Sequence, residues 1–197
     1  MRVLAGPLTG IVWLSTVAPA AAHPALQGVT GFSGGLLHPL LVPSHLIAAV
    51  GLGLLIGQQA PHGARAAPVA YIAAVIAGLA AVALAYVPTI AEDTLLGCAA
   101  LSGLLAALAR PLPQVMVVAL AAATGLSLAL DSPPDATSLA AANRALLGTA
   151  VGAGILLVLV SEAASLLKRH WQRIGLRIAG SWIAASAILV LALRLAS

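Results

Sequence analysis

Six stretches of this chain run almost without charge for about the length a helix needs to cross a bilayer: residues 33–58, 68–87, 93–109, 114–131, 145–167 and 176–195. About 20 apolar residues, rising 1.5 Å each, cover the roughly 30 Å of hydrocarbon. The polar and turn-forming positions gather between them, at Pro61-His62-Gly63, Pro88, Arg110-Pro111-Leu112-Pro113 and Asp131-Ser132-Pro133-Pro134-Asp135. These are helix stops suited to a water boundary. The pattern predicts an all-α, polytopic transmembrane bundle of six spans, a single domain over residues 23–197. Its loops are short enough to make consecutive helices antiparallel neighbours.

Ahead of the first span, Arg2, an apolar run to about Val17 and Ala20-Ala21-Ala22 have the layout of a secretory signal over residues 1–22. Cleavage after Ala22 would make His23 the first residue; an uncleaved signal anchor is the alternative. Composition agrees with a lipid environment: 61% of the residues are hydrophobic and 7% charged, against roughly 25% charged in soluble domains. The net charge of +4 does not point to nucleic acid, because the basic residues sit between apolar runs and form no patch on a soluble face. They report topology instead. With the signal inserted in the usual sense, Arg65, Arg110, Lys168, Arg169, Arg173 and Arg177 fall on the cytoplasmic side and only Arg144 and Arg194 outside. Glu92, Asp93, Asp131 and Asp135 fall outside as well. The expected location is a bacterial-type inner membrane with the mature N-terminus outside.

Candidate chemistry concentrates in the first span, where His38-Pro39 and Pro43-Ser44-His45 interrupt the apolar run. Pro43 has no N–H for the carbonyl four residues back, and each proline disfavours helical geometry in the residue before it. The span is therefore expected to break between His38 and Pro43, which is tolerated at membrane depth only where protein or a wet cavity satisfies the backbone. On a regular helix His38 and His45 share a face but stand about 10 Å apart along it, too far to hold one ion at about 2 Å from each ring. Either they are successive stations on a path or the proline break folds them together; hydrogen bonding to neighbouring helices is the structural alternative. Glu162 is the acidic residue set within a span and is expected to face the bundle interior as cation ligand, proton acceptor or ion-pair partner of Arg144 or Lys168. Glu92 and Asp93 open the third span, as a solvated helix N-terminus or a cation-attracting vestibule. His23, if freed at the N-terminus, pairs an α-amine with an imidazole, a chelate for borderline ions such as nickel, cobalt or copper. His62 and His170 are read as solvated loop residues. Cys98 has no cysteine partner for a disulfide or a CxxC site.

The signal-like start, the early His23, Gly35-Leu36-Leu37-His38-Pro39-Leu40, the second histidine seven residues on and Glu92 opening the third span resemble the HupE/UreJ family, small nickel/cobalt permeases associated with hydrogenase and urease maturation. The resemblance covers most of the chain in span layout, and its specific part is residues 31–58. It implies transport of nickel or cobalt, with His38, His45, Glu162, His23 and Glu92 as candidate metal residues and no bound cofactor. Two features depart from the family pattern. Val42 and Ser44 stand where the motif His-Pro-Leu-x-Gly-x-Asp-His has Gly and Asp, and residues 124–138 contain no histidine where the family has a His-rich segment.

Three functions are compatible with these residues. The first is a divalent-metal permease without its own ATPase; the phosphate loop GxxxxGK[ST] does not occur. The second is a non-transporting accessory or assembly subunit that kept the fold. The third is an intramembrane serine protease, suggested by Gly31-Phe32-Ser33-Gly34, although its last two spans supply no histidine base. No enzymatic activity is expected. The expected partners are the lipid bilayer and the metal ion, with a homo-oligomer or a membrane partner subunit left open.

Overall fold

Pro43 decides where the first hydrophobic stretch breaks. In the computed structural model, which describes residues 30–59, 65–134, 136 and 138–196, helix α1 (Gly31–Leu41) stops one residue short of Val42, and α2 (Pro43–Gln59) starts at the proline. Val42, forced out of helical geometry by the ring that follows it, is extended at φ −90°, ψ 113°, and its N–H donates to the His38 carbonyl. Pro43 occupies the first helical position, where a missing N–H costs nothing. Pro39 lies inside α1 without ending it. The two axes differ by 68°. The expected signal segment, His23 and His62 lie outside the described residues.

The remaining helices are α3 (Ala66–Ala83), α4 (Ala91–Leu108), α5 (Gln114–Leu130), α6 (Leu139–Leu166) and α7 (His170–Leu195). Helix is the only regular structure among the described residues. Four of the helices, α3, α4, α6 and α7, are long and apolar enough to cross a membrane, and the bent pair α1–α2 makes a fifth span if counted as one. Helix α5 is apolar but has 17 residues, at the lower limit of what crosses the hydrocarbon. It accounts for the difference from the six spans expected.

Helix α6 is the rail on which the broken span lies. A β-carbon added at Gly148 would run into the Phe32 carbonyl, one at Gly152 into the Leu36 carbonyl, and one at Gly35 into the Ala145 carbonyl. Backbone thus meets backbone along α1 and α6. Further along α6, Gly53 and Gly57 of α2 bring that helix against Val160, Ser161 and Ala164. The pairs Gly53–Gly57 and Gly148–Gly152, each a GxxxG pattern, are used within the chain, close approach replacing the hydrophobic drive that lipid removes. Helices α4 and α7 meet the same way at Gly103 and Gly180. The interior between α2, α4, α5 and α6 is filled by Leu52, Leu55, Leu95, Leu128 and Leu157, none exposed. Leu159, Val115 and Trp182 face outward, a surface that lipid solvates. At the end of the bundle away from His45, the Gln59 side chain donates to the Arg110 carbonyl and accepts from Leu112 N–H, tying α2 to the turn between α4 and α5.

Candidate functional site

The 68° bend turns the His38–His45 spacing from a separation into a contact. The two ring centres are 5.0 Å apart with planes at 69°, so the second of the two expected arrangements, folding together at the proline break, is the one observed. Two imidazoles bound to one ion at about 2.0–2.1 Å per nitrogen, with a roughly tetrahedral angle, place their centres about 5 Å apart. The observed separation of the ring centres matches that distance.

A third side chain arrives from α5. Ser132-Pro133-Pro134 prevents that helix from continuing. Its last turn closes with Asp131 N–H donating to the Ser127 carbonyl and the Ser132 hydroxyl to the Leu128 carbonyl. This holds the Asp131 carboxylate against α2, where His45 Nε2 donates to Oδ2 at 2.9 Å. The His45 side chain is fully buried and that of Asp131 is 22% exposed. A carboxylate can only accept, so Nε2 carries the donated proton and Nδ1 is turned the other way. Nδ1 is buried and has no hydrogen-bond partner among the described residues. Carboxylate on one ring nitrogen with the other left as a donor to a metal is the arrangement that orients histidine ligands. Among the described residues, no group of three or more His, Cys, Asp or Glu is close enough together to hold a metal ion. What the fold brings together is two imidazoles and one carboxylate.

Asp131 escaped the reading of the sequence, which took it as part of a helix stop. Its charge at a span boundary was visible, but nothing links residue 131 to residue 45 across 86 positions until α2 and α5 are packed. The other expected residues are placed differently. Glu92 lies at the same end of the bundle, in the first turn of α4, and is paired with Arg194. The expectation that Glu162 faces the interior is corrected: its side chain is on the exposed side of α6, one turn before the helix ends. Residues 145–161 between Arg144 and Glu162 are uncharged and span about 26 Å, close to the roughly 30 Å of hydrocarbon that a span must cross. Replacing Glu162 with Gln is expected to change stability by less than about 0.5 kcal/mol, as surface substitutions away from buried networks do, measured by thermal unfolding in detergent; a large loss would show a buried role for Glu162. The Ser33 hydroxyl donates to the Thr30 carbonyl, three residues back on its own chain.

Comparison with known proteins supplies one match: the family model described as HupE / UreJ protein aligns with residues 11–190. No curated protein and no solved structure matches the chain. The match covers nearly the whole length, including the broken helix, the paired histidines and every helix of the bundle except the last turn or so of α7. This membrane protein belongs to the HupE/UreJ family, which is associated with nickel and cobalt transport or with accessory roles and is not enzymatic.

Proposed function

We propose that the chain is a permease for a divalent transition metal, nickel or cobalt, which enters at the His45 end and is held in passing by His38 and His45. The observation that carries this reading is the 5.0 Å approach of the two rings, with His45 oriented by Asp131 and its Nδ1 unpartnered. Imidazole nitrogen suits nickel, cobalt, copper and zinc and disfavours magnesium and calcium. The thinness of the ligand set is in keeping with transport, since an ion that must leave again needs a site strong enough to enter and weak enough to release. The carboxylate that the family motif has at position 44 is supplied here from position 131.

In this reading α5 is the sixth span, the N-terminal segment is a signal, and the His45 end faces outward. Inward movement of a dication then gains about 4.6 kcal/mol per 100 mV of membrane potential, twice the value for one charge. A facilitated path suffices without nucleotide hydrolysis. The test is uptake by proteoliposomes holding the purified chain, run across nickel, cobalt, copper and zinc with an inside-negative potential. Nickel or cobalt is expected to accumulate well above protein-free vesicles, and His38→Ala to reduce the initial rate at least about ten-fold. Absence of uptake over empty vesicles for all four ions would reject transport. One observation favours the accessory reading: among the described residues no third His, Cys, Asp or Glu completes a metal group with the two histidines; under it, the wild-type protein would bind metal and move none.

A further inference from the structure

The end of the bundle where His45 meets Asp131 carries an arginine set among carboxylates. Glu92 and Asp93 stand side by side in the first turn of α4. Arg194 reaches them from the last turn of α7, with Nη1 2.6 Å from Glu92 Oε2 and Nε donating to Asp93 Oδ1 at 2.9 Å. Asp131, the carboxylate that orients His45, lies within electrostatic reach of the same guanidinium. Among the described residues, one permanently charged arginine thus faces three carboxylates from two helix ends. All the groups of the ion pairs are partly exposed, at 32–40% of their side-chain area. Ion pairs so wetted are weak, and an arriving cation can displace them.

Resting on the permease reading, we propose that Arg194 is a tethered counter-cation that sets the concentration of metal needed for entry. Its guanidinium occupies the Glu92 and Asp93 carboxylates that a dication uses on the way to Asp131 and His45. It must swing aside for each ion that enters. Removing the charge leaves the carboxylates open and lets the mouth fill at lower metal concentration. Lysine keeps the charge but lacks the fork that contacts two carboxylates at once, so it competes less well than arginine.

Two measurements test this. In the first, cobalt is titrated into the purified chain in detergent by calorimetry at low ionic strength. Arg194→Gln is expected to bind about three- to ten-fold more tightly than wild type, and Arg194→Lys to fall between them. The difference should shrink in about 1 M salt, where the screening length is roughly 3 Å. In the second, the half-saturating nickel or cobalt concentration for vesicle uptake is expected to fall by a similar factor. Equal or weaker cobalt binding by Arg194→Gln, or no cobalt binding by either protein, overturns the proposal. Should Arg194→Gln not fold, Arg194→Lys against wild type decides the same question. If wild-type vesicles take up no metal, the permease reading fails on its own, while the binding titration still determines whether Arg194 competes with a dication.

Discussion

His45→Ala is expected to abolish nickel and cobalt uptake, a loss of about 100-fold or more in initial rate, while leaving the protein folded. The ring is fully buried and contacts His38 on one side and Asp131 on the other, so its removal takes away a ligand and leaves a carboxylate without its partner. Asp131 should matter through His45. Orienting carboxylates of this kind change metal affinity by about 10–100-fold when removed. Asp131→Ala is expected toward the upper end of that range. Asp131→Asn, whose amide oxygen can still accept from Nε2, is expected toward the lower end. Because the family motif carries its carboxylate next to the second histidine, Ser44→Asp in the Asp131→Ala background is expected to restore part of the lost uptake. Initial-rate uptake in proteoliposomes, normalised to reconstituted protein, measures all four variants. Wild-type rates for Asp131→Ala would show that the 2.9 Å contact only holds α5 against α2.

The order of these effects shows what could be read from the residues and what could not. Although α6 and α7 begin six residues before the expected starts at 145 and 176, in sequence that the apolar pattern leaves out, charge-free runs and proline stops were enough to find each apolar helix. Lipid leaves few alternatives for backbone polar groups. The break before Pro43 was legible for the same local reason. Whether it carried His38 toward His45 or away was not, since the direction of a bend is set by what each half packs on. Here that is α6, through Gly148 and Gly152 for α1 and through residues 160–164 for α2. Glu162 shows the converse. A position in sequence gives depth along a helix, but not which face meets lipid, and no strong amphipathic signal exists in a helix apolar nearly all round. Asp131 required both kinds of knowledge, the end of α5 and its neighbour.

Gly148→Val is expected to cost more stability than any surface change in the bundle, about 1–3 kcal/mol or more, as overpacking against unyielding groups does. The added β-carbon meets the Phe32 carbonyl and the Leu36 N–H nitrogen, both backbone, which cannot turn aside as a side chain can. α1 must move off α6, carrying His38 away from His45. The variant should therefore lose uptake even at temperatures where it stays folded. Gly152→Val, directed at the Leu36 carbonyl, should behave alike. Gly175→Ala makes the comparison: nothing lies within 4 Å of its added carbon, and alanine favours a helix by up to about 1 kcal/mol over glycine. It is expected to be neutral or stabilising. Thermal unfolding in detergent, followed by loss of helical circular dichroism, separates the two outcomes. A Gly148→Val protein that melts with wild type and transports normally would mean that α1 does not depend on α6 for its place.

The central claim is that the proline break brings two imidazoles onto one metal ion. X-ray absorption at the cobalt edge, recorded on the purified chain loaded with one equivalent of cobalt, counts those imidazoles through the scattering of their outer ring atoms. Two histidine ligands are expected in the wild type, falling to one in both His38→Ala and His45→Ala. A single imidazole in the wild type, or a spectrum unchanged by either substitution, would contradict it.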